Sequence, residues 1–150
     1  MRMSKENQDK ILAKASKILE ERAKYTNLFL ESPDAVKKLF QTRLSTAEHE
    51  IFSVAFLNNR HRLIAVQDMF TGTIDSASVY PREVVKAALK HNAAAIILAH
   101  NHPSGIPEPS RADIDITSTL KNACAMVDVR VLDHIIVGKH CVSLAERGDV

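Results

Sequence analysis

Cysteine is scarce: Cys124 and Cys141 are the only two in the chain, far apart and without C-x-x-C spacing. That excludes a zinc knuckle or a vicinal redox pair and leaves two isolated buried thiols as the expectation. Charge of one sign is missing too, since 20 Lys and Arg stand against 18 Asp and Glu, for a net charge of +2. With a pI of about 8.6, the sequence lacks the electrostatic footprint of a protein built around nucleic acid or an anionic membrane. No apolar run approaches the roughly 18 residues that a membrane span requires. The opening MRMSKENQDK has no apolar stretch of the signal-peptide kind. The expectation is a soluble cytoplasmic protein. Internal repeats and low-complexity segments are also absent. What remains is 150 residues, 45% of them hydrophobic, enough for one domain with a sizeable core and a short appended element.

Residues 1–45 read as a helical N-terminal extension and 46–150 as the main domain. Ile11, Ala15, Ile18 and Leu19 recur at helical spacing, predicting an amphipathic helix from about Glu6 to Ala23. Its apolar stripe could cover its own domain or pair with a second chain, so the oligomeric state stays open. Ser32 as N-cap, Pro33 at the first position, and Val36, Leu39 and Phe40 predict a second helix. From Glu50 the period shortens. EIFSVAFLN and RLIAVQDMF read as strands of a hairpin turning through Asn58, Asn59 and NRH. SVYPREVVKAALKHNA predicts a helix begun by Pro81 and ended by Asn92, with Val84, Val85, Ala88 and Leu89 inward. AAAIILA fits a strand buried on both faces, SRADIDITSTLKNACAM a helix, and VRVLDHIIVG with HCVSLAE a closing hairpin across Gly138 and Lys139. The fold class is α+β: a mixed, mostly antiparallel sheet flanked by helices in three α/β/α-like layers.

One stretch carries chemistry. In ILAHNHPSGIPEPSRAD, His100 and His102 lie two apart at a strand end, where alternate residues share a face. Two imidazoles can therefore aim at one point. The proline-rich PSGIPEP, with a tight turn at Gly105, could bring Asp113 back as a third ligand. Two histidines and a carboxylate suit Zn²⁺ and leave a fourth tetrahedral position for water, which is how catalytic rather than structural zinc is held.

Each residue also has a plainer use. A lone histidine at a strand end is usually a hydrogen-bonded core or surface residue. Asp113 and Asp115 both suit a helix N-terminus, and spacing does not choose between them. Ser110, three residues before Asp113, resembles a capping-box start. His49, His61 and His91 look like loop or helix-end residues, and His134 and His140 like structural ones, His134 with Asp133 being a minor candidate for support of a metal site.

His100, His102, Ser110 and Asp113 fall on the positions of the H-x-H-x7-S-x-x-D signature, so the stretch resembles the JAMM (MPN-plus) metalloproteases. More narrowly, FTGTIDSASVYPREVVKAALKHNAAAIILAHNHPSG and VRVLDHIIVG…SLAERG resemble the JAMM-like domain of the bacterial RadC family. The resemblance runs from about Thr46 to the C-terminus, roughly two-thirds of the chain. It implies a JAMM or cytidine-deaminase-like fold, zinc bound by His100, His102 and Asp113, and a Glu as general base. Family members place that Glu just before the first core strand, where AEHEIFSVAFL offers Glu48 and Glu50. Glu50 abuts the strand and is the choice. Glu83 is explained by a helix first turn, and Glu108 sits on a loop poorly suited to precise proton transfer. The implied activity is that of a zinc metallopeptidase or isopeptidase: zinc-activated water attacks an amide carbonyl of a peptide or protein substrate, Glu50 takes the proton, and Ser110 helps to stabilise the oxyanion.

RadC-family proteins usually carry a helix-hairpin-helix region ahead of the metal domain. Here two helices without a glycine-containing hairpin precede it, which resembles the short stand-alone RadC-like proteins. A second functional class therefore stands beside the first: a nucleic-acid-associated DNA-repair accessory protein with weak nucleic-acid association and a structural or vestigial zinc. Steep salt dependence of DNA binding would mark that class, because phosphate contacts release counterions.

Overall fold

The computed structural model describes residues 2–25, 30, 32–72 and 78–150. Its elements run α1 (Lys5–Tyr25), α2 (Pro33–Leu44), β1 (Ile51–Leu57), β2 (Leu63–Thr71), α3 (Pro81–Lys90), β3 (Ala95–Asn101), α4 (Arg111–Ala125), β4 (Arg130–Val137) and β5 (Cys141–Ser143). The strands form one sheet in the order β2-β1-β3-β4-β5. Among the described residues, only β3 and β4 pair in parallel. That pairing needs a crossover, and α4 supplies it. The layered α+β class expected from the sequence is what the chain forms.

Strand alternation divides the core into two. Phe52, Val54 and Phe56 of β1 and Ile96 and Leu98 of β3 pack with Val84 and Ala88 of α3 and Leu120 and Cys124 of α4. Ala55 and Leu57 of β1, with Ala95, Ile97 and Ala99 of β3, pack with Val36, Leu39, Phe40 and Leu44 of α2 on the other side. Covered on both faces, all seven residues of β3 are buried, which accounts for its near-continuous apolar run. Even-numbered positions of β3 face α3 and α4, odd-numbered ones face α2. This parity sends His100 and Asn101 into opposite layers.

Several local expectations need correction. Leu89 is 57% exposed, and Ala87 takes the inward place assigned to it. Ile11 and Ile18 of α1 are also exposed; the side of α1 that turns inward carries Leu12, Ala15, Ser16 and Leu19. Ser32 does occupy the N-cap of α2, but its hydroxyl makes no capping bond. β5 is only three residues long, so the last hairpin is shorter than HCVSLAE. Cys124 is buried as expected, whereas Cys141 is half-buried. Burial pushes the Cys141 thiol up to about 11, and its Sγ–H donates to Gln41 Oε1 at 2.8 Å. Arg43 of α2 ties the first helix to the sheet by pairing with Glu20 of α1 and, at 3.0 Å, with Asp68 of β2.

Candidate metal centre

The end of β3 and the start of α4 build the site. His100 is the last even-numbered residue of β3 and lies opposite Phe52 of β1, whose ring stacks on it with centroids 6.1 Å apart. His102 follows one step beyond the strand. Its backbone N–H donates to Val137 O at 2.8 Å, continuing the link to β4. Its Nδ1–H donates to Ile106 O at 2.8 Å. A carbonyl can only accept, so the lone pair of neutral His102 sits on Nε2.

Asp113 enters from the first turn of α4. Ser110 Oγ accepts from Asp113 N at 3.1 Å, and Asp113 Oδ2 accepts from Ser110 N at 2.9 Å. This reciprocal capping box fixes the carboxylate as well as the helix start. The carboxylate then meets both imidazoles, with Oδ1 3.1 Å from His100 Nε2 and Oδ2 3.1 Å from His102 Nε2. The two Nε2 atoms are 3.0 Å apart. The question between the two aspartates is thereby answered for geometry: Asp115 is exposed and pairs with Arg111 at 3.1 Å.

Burial would raise the Asp113 pKa, but the facing imidazoles of His100 and His102, together with the Ser110 amide, outweigh it and hold the carboxyl well below the usual carboxylate range. The Asp113 hydrogen bond, helped by the Ile106 carbonyl and the charges of Asp113 and Glu50, outweighs desolvation and raises the His102 pKa. Two ring nitrogens and a carboxylate facing one another call for positive charge between them. His100, His102 and Asp113 form a group able to hold a metal ion, with one donor atom from each within 4.8 Å of the others. Tetrahedral coordination at about 2.0–2.1 Å sets ligand edges of roughly 3.4 Å. The observed 3.0–3.1 Å therefore fits such an ion after an opening of roughly 0.3 Å per edge.

The two glutamates before β1 part company. Glu48 is exposed and bound to Lys5 at 2.6 Å. Glu50 is half-buried and acts electrostatically on His102. Its neighbours are clamped by Asn101, whose Oδ1 accepts from Ile51 N at 2.7 Å and whose Nδ2 donates to His49 O at 2.9 Å. Gly72 N donates to Glu50 O at 2.8 Å from the other side. Glu108 instead pairs with Arg147 at 3.2 Å, and Glu83 is exposed in the first turn of α3.

One feature of the site, Asn101, escaped sequence reasoning, and another, His134, was only a minor candidate there. Asn101, set between the two histidines, turns to the opposite layer and is buried there. His134 is fully buried against His100, with Nε2 2.8 Å from His100 Nδ1. The signal for both was a polar residue inside an apolar strand. Burial drives the His134 pKa well below the ordinary imidazole value, so the ring is neutral. A small cleft of about 190 Å³ opens beside His102, lined in part by Leu44, Ala47, Asn101 and Lys139.

Comparison with known proteins agrees with the geometry. The model of the RadC-like JAB domain matches residues 30–149. A UPF0758 protein of Vibrio cholerae is 55% identical over 139 residues, covering 93% of this chain and 87% of that protein. UPF0758 proteins of Thioalkalivibrio sulfidiphilus and Methylibium petroleiphilum are 59% and 55% identical over 119 and 139 residues, covering 79% and 92% of this chain. Of those two relatives' own lengths the chain spans 53% and 62%. Among the described residues no helix is long and apolar enough to cross a membrane. With the match extending over most of the sequence, the chain belongs to the RadC-like JAB domain family.

Proposed function

We propose that the chain is a zinc-dependent hydrolase of amide bonds, a metallopeptidase or isopeptidase acting on a peptide or protein. The observation that carries this reading is the convergence of His100 Nε2, His102 Nε2 and the Asp113 carboxylate at the end of β3, where Asn101 also holds the backbone on either side of Glu50. Three protein donors leave a coordination position free, the arrangement of a catalytic zinc. When bound, zinc supplies Lewis acidity, which polarises a carbonyl and brings a water's pKa down to about 7.

The chain's own residues supply the rest. Glu50 accepts a proton from the attacking water and returns it to the nitrogen of the leaving amine as the C–N bond breaks and the new C–O bond forms. Asn101 positions that base through the backbone on either side of it. Ser110 Oγ accepts from the Asp113 amide, so its own proton is free to donate to the developing oxyanion. At about 190 Å³ the cleft is smaller than the roughly 300–1,000 Å³ typical of small-molecule pockets. It suits one side chain of a substrate lying across the surface.

The test is hydrolysis by the zinc-loaded protein of a mixed peptide library and of a lysine-linked isopeptide conjugate, read by mass spectrometry for newly formed amines. Glu50→Gln should keep zinc and lose about 10²–10⁴-fold in rate. Unchanged hydrolysis by Glu50→Gln excludes Glu50 as the base. No cleavage of either substrate by the loaded wild type counts against the hydrolase reading.

A further inference from the structure

A hydrogen-bonded chain runs behind His100. Thr117 Oγ1, in α4, lies 2.6 Å from the backbone carbonyl of Asp113 and 2.6 Å from His134 Nδ1. His134 Nε2, on β4, is 2.8 Å from His100 Nδ1. Thr117, His134 and His100 are all buried, and Phe52 closes the pair of rings, stacking on His100 and meeting His134 edge-on.

Donor and acceptor rules order the protons. A carbonyl oxygen only accepts, so the single hydroxyl proton of Thr117 goes to Asp113 O. The Thr117 oxygen then accepts, and His134 Nδ1 must carry an N–H. A neutral imidazole has one N–H, so His134 Nε2 bears a lone pair and accepts from His100 Nδ1–H. The lone pair of His100 is thereby directed to Nε2, the atom facing Asp113 Oδ1 and His102 Nε2. The reverse order fails at Thr117: with its proton on His134, two oxygen lone pairs would face each other across 2.6 Å.

We propose that Thr117 and His134 form a proton-ordered relay that locks His100 as its Nδ1–H tautomer and thereby sets the affinity of the metal centre. Both are positioning residues. The relay starts at the carbonyl of the residue whose carboxylate is the third donor, so it couples two of the three donors through β4. The inference rests on the metal-centre reading above and adds to it the device that prepares His100.

The test combines nitrogen NMR with zinc competition against a chromophoric chelator. In zinc-loaded protein labelled with ¹⁵N at histidine, His100 and His134 should both carry their proton on Nδ1. Thr117→Val, nearly isosteric and without the hydroxyl, should bind zinc about 10–100-fold more weakly. Thr117→Ser should return affinity to within about threefold of wild type. A proton on His134 Nε2, or undiminished zinc affinity in Thr117→Val, overturns the relay. Should Thr117→Val fail to fold, the wild-type nitrogen signals decide alone. Zinc uptake with the opposite tautomer removes the relay and spares the metal centre; no uptake by the wild type removes both.

Discussion

Replacing Gly138 by Ala isolates what holds His102 in place. A Cβ at this position would stand 2.5 Å from Gly105 O, 2.9 Å from Gly105 C and 3.0 Å from Pro107 N. All three are backbone atoms of the loop between β3 and α4, so no side chain can swing aside. Ordinary contact begins near 3.4 Å, and the carbonyl would have to retreat by about 0.9 Å. That carbonyl accepts from Lys139 N at 2.8 Å, Gly105 N donates to His102 O at 2.9 Å, and the next residue's carbonyl holds His102 Nδ1 at 2.8 Å. Losing one backbone hydrogen bond costs about 1 kcal/mol and the overpacking about 1–3 kcal/mol. The melting temperature should fall by roughly 4–16 °C at about 2–4 °C per kcal/mol. With His102 released from Ile106, zinc affinity should fall about 10–100-fold. Differential scanning calorimetry and chelator competition measure the two effects. Gly148→Ala is the control: its φ of +82° strains an Ala but nothing lies within 4 Å, so it should cost about 1–2 kcal/mol and leave zinc affinity alone. A Gly138→Ala protein that melts and binds zinc like wild type refutes the packing argument. One that is destabilised but binds zinc normally refutes the coupling of the loop to His102.

Other substitutions and conditions test separate parts of the account. Asp113→Asn should abolish stoichiometric zinc uptake while Asp115→Asn leaves it intact, as read by elemental analysis; full uptake by Asp113→Asn, or loss of it in Asp115→Asn, would contradict the choice of Asp113 as the third donor. The raised His102 pKa leaves this ring protonated at pH values where an ordinary histidine is neutral. Zinc must displace that proton, so chelator-competed affinity should fall as pH drops below the raised value and recover above it, and a flat profile from pH 8 to 5 would contradict this. With its thiol near 11, Cys141 should alkylate with iodoacetamide at pH 8 about 100-fold more slowly than a free thiol of pKa about 8.5; labelling at the free-thiol rate would contradict the burial that raises it.

What could be read directly from the sequence was what depends on short spacing. Residues two apart on a strand share a face, so the convergence of His100 and His102 needed no tertiary information. The elements, the mixed sheet and the capping role of Ser110 followed in the same way from periodicity and helix-start chemistry. Pairing between distant segments was harder. Whether Asp113 or Asp115 faces the histidines depends on how α4 is rotated over the sheet, and both residues suit a first turn equally well. The parallel pairing that sets Leu98 beside His134 comes from the β3-α4-β4 crossover, and no local pattern announces that register. Asn101 was given no role from the sequence, because its partners, Ile51 N and His49 O, lie about fifty residues away in the chain. Leu89 was assigned inward by periodicity, but α3 is covered on one side only, and Ala87 sits nearer the centre of that face.

The central claim is a metal centre made by His100, His102 and Asp113, and metal content measures it most directly. Elemental analysis of the purified protein after zinc loading and desalting should find about one zinc per chain, and a His100→Ala, His102→Ala double variant of unchanged circular dichroism should hold none. Zinc absent from the wild type, or retained in full by the variant, would contradict the account.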